Sequence, residues 1–327
     1  MMFAPLGLLP GELRKKWMRI IVDTDTATVP STTRFPERRK ALQLILGVVL
    51  YAVCQIAITL GAIAAFAATA TGSTTANVGD ILSSGGAAPA VGFGVGAVVA
   101  VIGFIVIVRF VSGRKPRELM GPAIFPEVAW GLLIGVGIVA LSVAVLSIAG
   151  VYQIAGAQLS TAILAGLMFG VGPAVVEEVF FRGFLLRLFD NWFGSWAAVI
   201  IVSIVFALVH GFSSPAGPTA AIFVFVSASL MLNMAYLLTR RLWLPIALHL
   251  AFNAAQGAIF GFNVSGNSTG SSLIVANISG PPLLTGGEMG LEGSIVLLTI
   301  ALIAGLVMTM FAVRRKALVK FERPSAR

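Results

Sequence analysis

Apolar residues run along this chain in long blocks divided by short polar stretches. Eight blocks, at approximately 41–68, 90–111, 126–149, 160–186, 194–211, 219–238, 242–262 and 294–313, come near the roughly 20 residues that a helix needs to cross the hydrocarbon of a bilayer. The pattern predicts an all-α fold, a polytopic transmembrane helical bundle of about eight spans. The fifth and sixth spans are divided only by the Gly-, Ser- and Pro-rich turn Gly211–Pro218. The organisation expected is an N-terminal tail (1–40), N-terminal transmembrane helices (41–154), a central group of helices (155–262), an external loop (263–293), and a last helix with a basic tail (294–327).

The polar stretches add little that resembles a soluble domain, and no internal repeat is visible. In the tail, Arg14, Lys15, Lys16 and Arg19 sit beside Trp17, Met18, Ile20 and Ile21. That mixture suits an anionic membrane surface or a solvated tail equally. Its polar lead is too long for a secretory signal, and the small residues Ala65–Ala70 follow an apolar run too long for a signal's hydrophobic region. The 263–293 stretch is rich in Gly, Ser and Asn and reads as an external segment of low order. Asn263, Asn267 and Asn277 each begin an N-x-Ser/Thr sequon.

Composition supports lipid as the solvent. Hydrophobic residues make up 58% of the chain and charged residues 11%, where a soluble domain carries about 25% charged. The net charge of +9 does not indicate nucleic acid, because the cations lie in short clusters between the apolar blocks. Arg38, Arg39 and Lys40 precede the first span. Arg114, Lys115 and Arg117 follow the second, Arg187 the fourth, Arg240 and Arg241 the sixth, and Arg314, Arg315 and Lys316 the eighth. The alternate loops contain no Lys or Arg. Eight spans put every cluster on one side, and the positive-inside rule makes that side, with both termini, cytoplasmic. The Gly- and Ala-rich spans suggest a bacterial plasma membrane. Cys54, the one cysteine, lies within an apolar run and reads as a small buried hydrophobe.

Two adjacent carboxylates and both histidines lie within the apolar blocks. Glu177 and Glu178 are adjacent, and His210 and His249 are the only histidines. A charge at the bilayer centre costs about 2.5–3.5 kcal/mol on insertion scales, so such groups face the interior and mark function. At 1.5 Å per residue, Glu177 lies roughly 15 Å above Arg187, His249 roughly 12 Å above Arg241, Asn253 roughly 18 Å above Arg241, and His210 roughly 21 Å above Trp196. Three helices of alternating direction bring these groups to a similar depth. His249 and Asn253 share a helix face, as do Phe206 and His210, and Glu178 with Arg182 makes a possible i,i+4 ion pair. Glu177 is rotated about 100° from Glu178, so the two carboxylates need not share a task. Pro173 frees the carbonyl of Phe169 one turn before Glu177. Gly166 and Gly170 form a small-xxx-small pair that allows close helix approach. Gln55, Asn233 and Gln256 read as interhelical glue.

Glu177-Glu178-x-x-x-Arg182, Phe206-x-x-x-His210 and His249-x-x-x-Asn253, in that order, resemble the three motifs of the CAAX prenyl endopeptidase and CPBP (Abi) family of intramembrane proteases. The resemblance covers roughly residues 155–260 and implies a CAAX protease-like catalytic core there. By that resemblance Glu177 and His210 activate a water, His249 and Asn253 stabilise the oxyanion, and Glu178 and Arg182 position the site or the substrate. Phe206 reads as packing. The partners it implies are a peptide or protein substrate, prenylated or otherwise membrane-embedded, and the lipid bilayer. Many members are labelled metalloproteases, and Glu177, His210 and His249 could hold a zinc ion in a His2Glu arrangement. The soluble H-E-x-x-H signature is absent, and a glutamate-activated water needs no cofactor, so the metal-independent reading is preferred. Two other readings stay open. Midplane Glu and His also serve proton-coupled transporters, although paired broken helices are not seen. A non-catalytic scaffold or bacteriocin-immunity protein would keep the same fold.

Overall fold

A computed structural model describes residues 38–69, 77–83, 86–160, 162–213, 217–268, 270 and 272–321. The expected amphipathic stretch of the N-terminal tail lies outside the described residues. Eight long helices stand where the eight apolar blocks predict them. They are α1 (Lys40–Thr69), α2 (Ala87–Val111), α3 (Ile124–Ile148), α4 (162–193), α5 (Ser195–Ser213), α6 (218–239), α7 (243–259) and α8 (Ile295–Arg314). Five of them, α1, α2, α3, α5 and α8, are long and apolar enough to cross a membrane by length and composition alone. The other three are divided by π-helical turns: Val179–Leu186 in α4, Phe225–Ser229 in α6 and Ala255–Ile259 in α7. The fourth helix also runs further than its apolar block, to Phe193, because Gly194 at φ 80° is what ends it.

The bundle is apolar on both its inside and its outside. Ile45, Ile56 and Leu60 on α1 and Ile200, Ile204 and Leu208 on α5 are exposed. An outer surface of this kind belongs in hydrocarbon rather than water, and the protein is an integral membrane protein. The interior is close-packed around Phe104, Phe181, Phe184 and Phe206, none more than 1% exposed.

Small residues set the helix spacing. On α3, a Cβ added to Gly131 would lie 2.8 Å from the carbonyl oxygen of Leu244, and one added to Gly135 would lie 2.5 Å from that of Leu248. Backbone therefore touches backbone where α3 crosses α7, as small-xxx-small packing allows. On α4, Gly170 approaches the carbonyl of Leu250 in the same way, at 3.0 Å. Helix α7, which carries His249 and Asn253, is thus gripped from two sides.

One element departs from an all-helical expectation. Tyr152–Ala157 (β1) pairs antiparallel with Ile274–Ile278 (β2). This ribbon lies at the end of the bundle away from the basic clusters. The described part of the 263–293 stretch is accordingly not of low order: it contains β2, a helical turn at Pro282–Thr285 and two 3-10 turns before α8. Tyr152 anchors it by donating to the carbonyl of Phe260 at 2.9 Å, and burial pushes its phenol up to about 12.

The Gly135 contact yields a test. Gly135→Val places two methyl groups against the α7 backbone, and overpacking of this kind costs about 1–3 kcal/mol. The melting temperature in detergent should fall by several degrees, while Gly137→Val, at a position with open space around it, should leave it unchanged.

Candidate active site

The site begins at a weakness in α4. Pro173 lies inside the helix and supplies no N–H to it. Four residues later come Glu177 and Glu178, and at Val179 the helix widens into its π turn. Such turns arise where an extra residue is accommodated and recur at functional sites.

Glu178 and Arg182 form the i,i+4 ion pair, with Nη1 of Arg182 donating to Oε1 of Glu178 at 2.8 Å; neither side chain has exposed surface. Arg182 is held by two further helices. Its Nε donates to Oδ1 of Asn233 on α6 at 3.1 Å, and Nδ2 of Asn233 donates to Oγ of Ser203 on α5 at 3.0 Å. Its guanidinium lies 4.7 Å from the ring centre of Phe206 on α5, a cation–π contact strengthened by desolvation. Phe206 therefore does more than pack: it carries Arg182 on one side and stands 4.3 Å from the His210 ring on another.

The two histidines face different carboxylates. Nδ1 of His249 on α7 lies 2.9 Å from Oε1 of Glu178. A carboxylate only accepts, so this nitrogen carries a proton. Nδ1 of His210 lies 2.9 Å from the carbonyl oxygen of Phe206, so it too is the protonated nitrogen. That leaves Nε2 of His210 towards Glu177, 3.8 Å from Oε2. The distance is too long for a hydrogen bond and suits one water bonded to both groups. Oε2 of Glu177 is buried and has no hydrogen-bond partner among the described residues.

Beside this pair is a small cavity, with His210, His249, Asn253, Ser265 and Glu292 in its wall together with apolar residues of α5, α6 and α7. Glu177 is not part of that wall and adjoins it through His210. The six polar residues singled out by sequence, with Phe206, thus meet in one region formed by α4, α5 and α7.

The residues of the prospective zinc set do not fit a metal centre. Among the described residues no three of His, Cys, Asp and Glu gather around one point.

Residues 158–255 match the sequence model of the type II CAAX prenyl endopeptidase Rce1-like family. That segment is similar to the CAAX prenyl endopeptidase family. No curated protein and no solved structure matches the chain. The CAAX endopeptidase-like segment opens just before α4 and closes at the π turn of α7, so it contains Glu177, Glu178, Arg182, His210, His249 and Asn253. The family is one of proteases, and a membrane-embedded peptidase is the activity it supports.

Sequence reasoning missed two polar residues of the cavity wall, Ser265 and Glu292, which lie beyond the matched segment. Glu292 is one of only two acids in 263–293 and sits in no motif. Asn233 and Gln256 read as glue, but each holds a charged group of the site, Asn233 the Arg182 guanidinium and Gln256 the Glu292 carboxylate.

Removing one partner of a buried ion pair costs about 3–5 kcal/mol, because the other charge is left uncompensated. Arg182→Met should lower the melting temperature strongly. Glu178→Gln combined with Arg182→Met should recover most of the loss. Additive losses in the double variant would show that the two charges are not coupled.

Proposed function

We propose that this protein is an intramembrane endopeptidase of the CAAX type, in which Glu177 and His210 activate a water for attack on a peptide carbonyl. The observation that carries the reading is the Glu177–His210 pair. It consists of a buried carboxylate oxygen without a hydrogen-bond partner among the described residues and an imidazole nitrogen, 3.8 Å apart, beside a cavity whose wall holds His249 and Asn253.

The chemistry follows from the hydrogen bonds. A water between Oε2 of Glu177 and Nε2 of His210 gives up a proton to this pair as its oxygen attacks the carbonyl carbon, and the carbonyl π electrons move to oxygen. Asn253 offers a neutral amide donor to that oxyanion. His249, with Nδ1–H bound to Glu178, donates from Nε2–H when both ring nitrogens are protonated. Collapse of the intermediate breaks the C–N bond, and the proton held by the Glu177–His210 pair passes to the leaving nitrogen. The products are a carboxylate and an amine. Donors aimed at a developing oxyanion are each worth a few kcal/mol in comparable sites. The Glu178–Arg182 pair fixes the His249 ring and takes no proton itself. No step requires a metal, and activity should persist in EDTA.

The substrate class is a peptide or protein segment, prenylated or otherwise embedded in the membrane, which the apolar cavity wall and surrounding lipid would accommodate. The orientation proposed is basic clusters and both termini in the cytoplasm of a bacterial plasma membrane.

Two experiments test these readings. Purified protein in detergent is given an internally quenched peptide carrying a prenylated cysteine, and the same peptide unprenylated. Glu177→Ala and His210→Ala should each reduce cleavage by about 10²–10⁴-fold, the range for general acid–base groups. Asn253→Ala should cost about 10²–10³-fold. Melting temperatures of all three should stay near the wild-type value. Full activity in both the Glu177 and the His210 variant sinks the peptidase reading. For orientation, a membrane-impermeant maleimide should label Ser279→Cys in intact cells, and Lys115→Cys only after permeabilisation, both in a Cys54→Ala background.

A further inference from the structure

Glu292 sits in the turn Leu291–Gly293 that leads into α8, outside the CAAX endopeptidase-like segment. Its side chain enters the wall of the cavity shared by His210, His249 and Asn253. Only 7% of the residue is exposed. Oε2 accepts from Oγ of Ser265 at 2.7 Å, and Oε1 accepts from Nε2 of Gln256 at 3.3 Å. Both donors are neutral.

The contrast with the other buried acids is complete among the described residues. Glu118 pairs with Arg114, Glu127 with Arg241, Glu178 with Arg182 and Asp190 with Arg240. Glu292 alone has no cation within ion-pair distance. Its position is nonetheless built. Gly290, at φ 82°, passes so close to Asn263 that an added Cβ would overlap its carbonyl, and Gly286 and Gly293 make similar backbone contacts. The turn is locked against the segment that carries Ser265.

A buried carboxylate without a counter-charge is costly to keep. A ligand that brings a cation recovers that cost, and does so in an apolar surrounding where the attraction is stronger than in water. We infer that Glu292 is a specificity-determining residue that selects a cationic side chain, lysine or arginine, in the peptide segment seated at its end of the cavity. The inference rests on the peptidase reading for what enters the site. It adds which peptides are chosen.

The test uses the full chain in detergent and a set of internally quenched peptides of one sequence. Lysine, glutamine or glutamate occupies each position flanking the cleaved bond in turn. At one position, wild type should prefer lysine to glutamate by about tenfold or more in kcat/KM. Glu292→Gln, which keeps the shape and an acceptor for Ser265, should bring that ratio close to one. Glu292→Asp should retain a preference for lysine. Ser265→Ala removes a hydrogen bond but leaves the charge, and it should lower rates without erasing the ratio. A residue that merely braced the turn would lower cleavage of every peptide alike. No lysine preference in wild type, or the same preference in Glu292→Gln, overturns the inference. If no peptide is cleaved in a Glu177-dependent way, the peptidase reading fails by itself. Fluorescence anisotropy with the same peptides then decides the role of Glu292. Tighter binding of the lysine peptide by wild type but not by Glu292→Gln supports it; equal binding, or none, overturns it.

Discussion

Glu178 and Arg182 meet at 2.8 Å with no exposed side-chain surface, and the functional half of the bundle is arranged around them. Two charges so far from water are costly to keep, and they are met only in part, since Oε2 of Glu178 and Nη2 of Arg182 lack hydrogen-bond partners among the described residues. Glu178 takes a second bond from His249, and Arg182 takes Asn233 and the face of Phe206. Through those partners one ion pair ties α4 to α5, α6 and α7. It also sets the chemistry. Fixing Nδ1 of His249 orients that ring beside Asn253, and placing Phe206 places His210, whose Nδ1 bonds the Phe206 carbonyl.

The π turns are the backbone's share of the same arrangement. Those of α4 and α7 begin directly after Glu178 and Ala254, next to Glu177 and Asn253, and that of α6 lies beside the cavity wall. A regular helix repeats its faces every 3.6 residues. An inserted residue breaks that repeat and turns the following segment to a different neighbour. In α4 the turn lets Glu178 and Arg182 point inward while Arg187, five residues on, reaches Gln43 of α1 at 2.8 Å. Regular helix packing is interrupted in α6 and α7, which line the cavity, and in α4, which carries Glu177 and Glu178 beside it.

What sequence made legible was local. Hydropathy located all eight helices, and spacing of four residues put Glu178 with Arg182, Phe206 with His210, and His249 with Asn253 on shared faces. Partners distant along the chain stayed hidden: no periodicity joins Glu178 to His249, 71 residues away, or brings Glu292 to the cavity. The π turns were equally invisible, because an inserted residue leaves composition unchanged. The 263–293 stretch misled for a different reason. Its glycines resemble a flexible linker, yet Gly266, Gly280, Gly286, Gly287 and Gly290 take positive φ in tight turns, where glycine gives order rather than freedom.

Membrane insertion itself explains why the two ends of the bundle behave differently. The basic clusters gather at one end, as orientation demands, and there arginines answer the acids. Arg240 pairs with Asp190 and donates to the carbonyl of Ala317, while Ser195 exchanges hydrogen bonds with Val319. Arg187 and Arg114 both approach Glu118. That end is laced shut, and Ala317 and Val319 beyond α8 are tied to it. The same rule leaves the loops at the opposite end without Lys or Arg. A carboxylate placed there, as Glu292 is, has no Lys or Arg within ion-pair distance among the described residues, and its field is left facing whatever enters the cavity. Charge asymmetry imposed by the bilayer thus becomes charge selectivity at the mouth of the site, without a residue being spent on orientation alone.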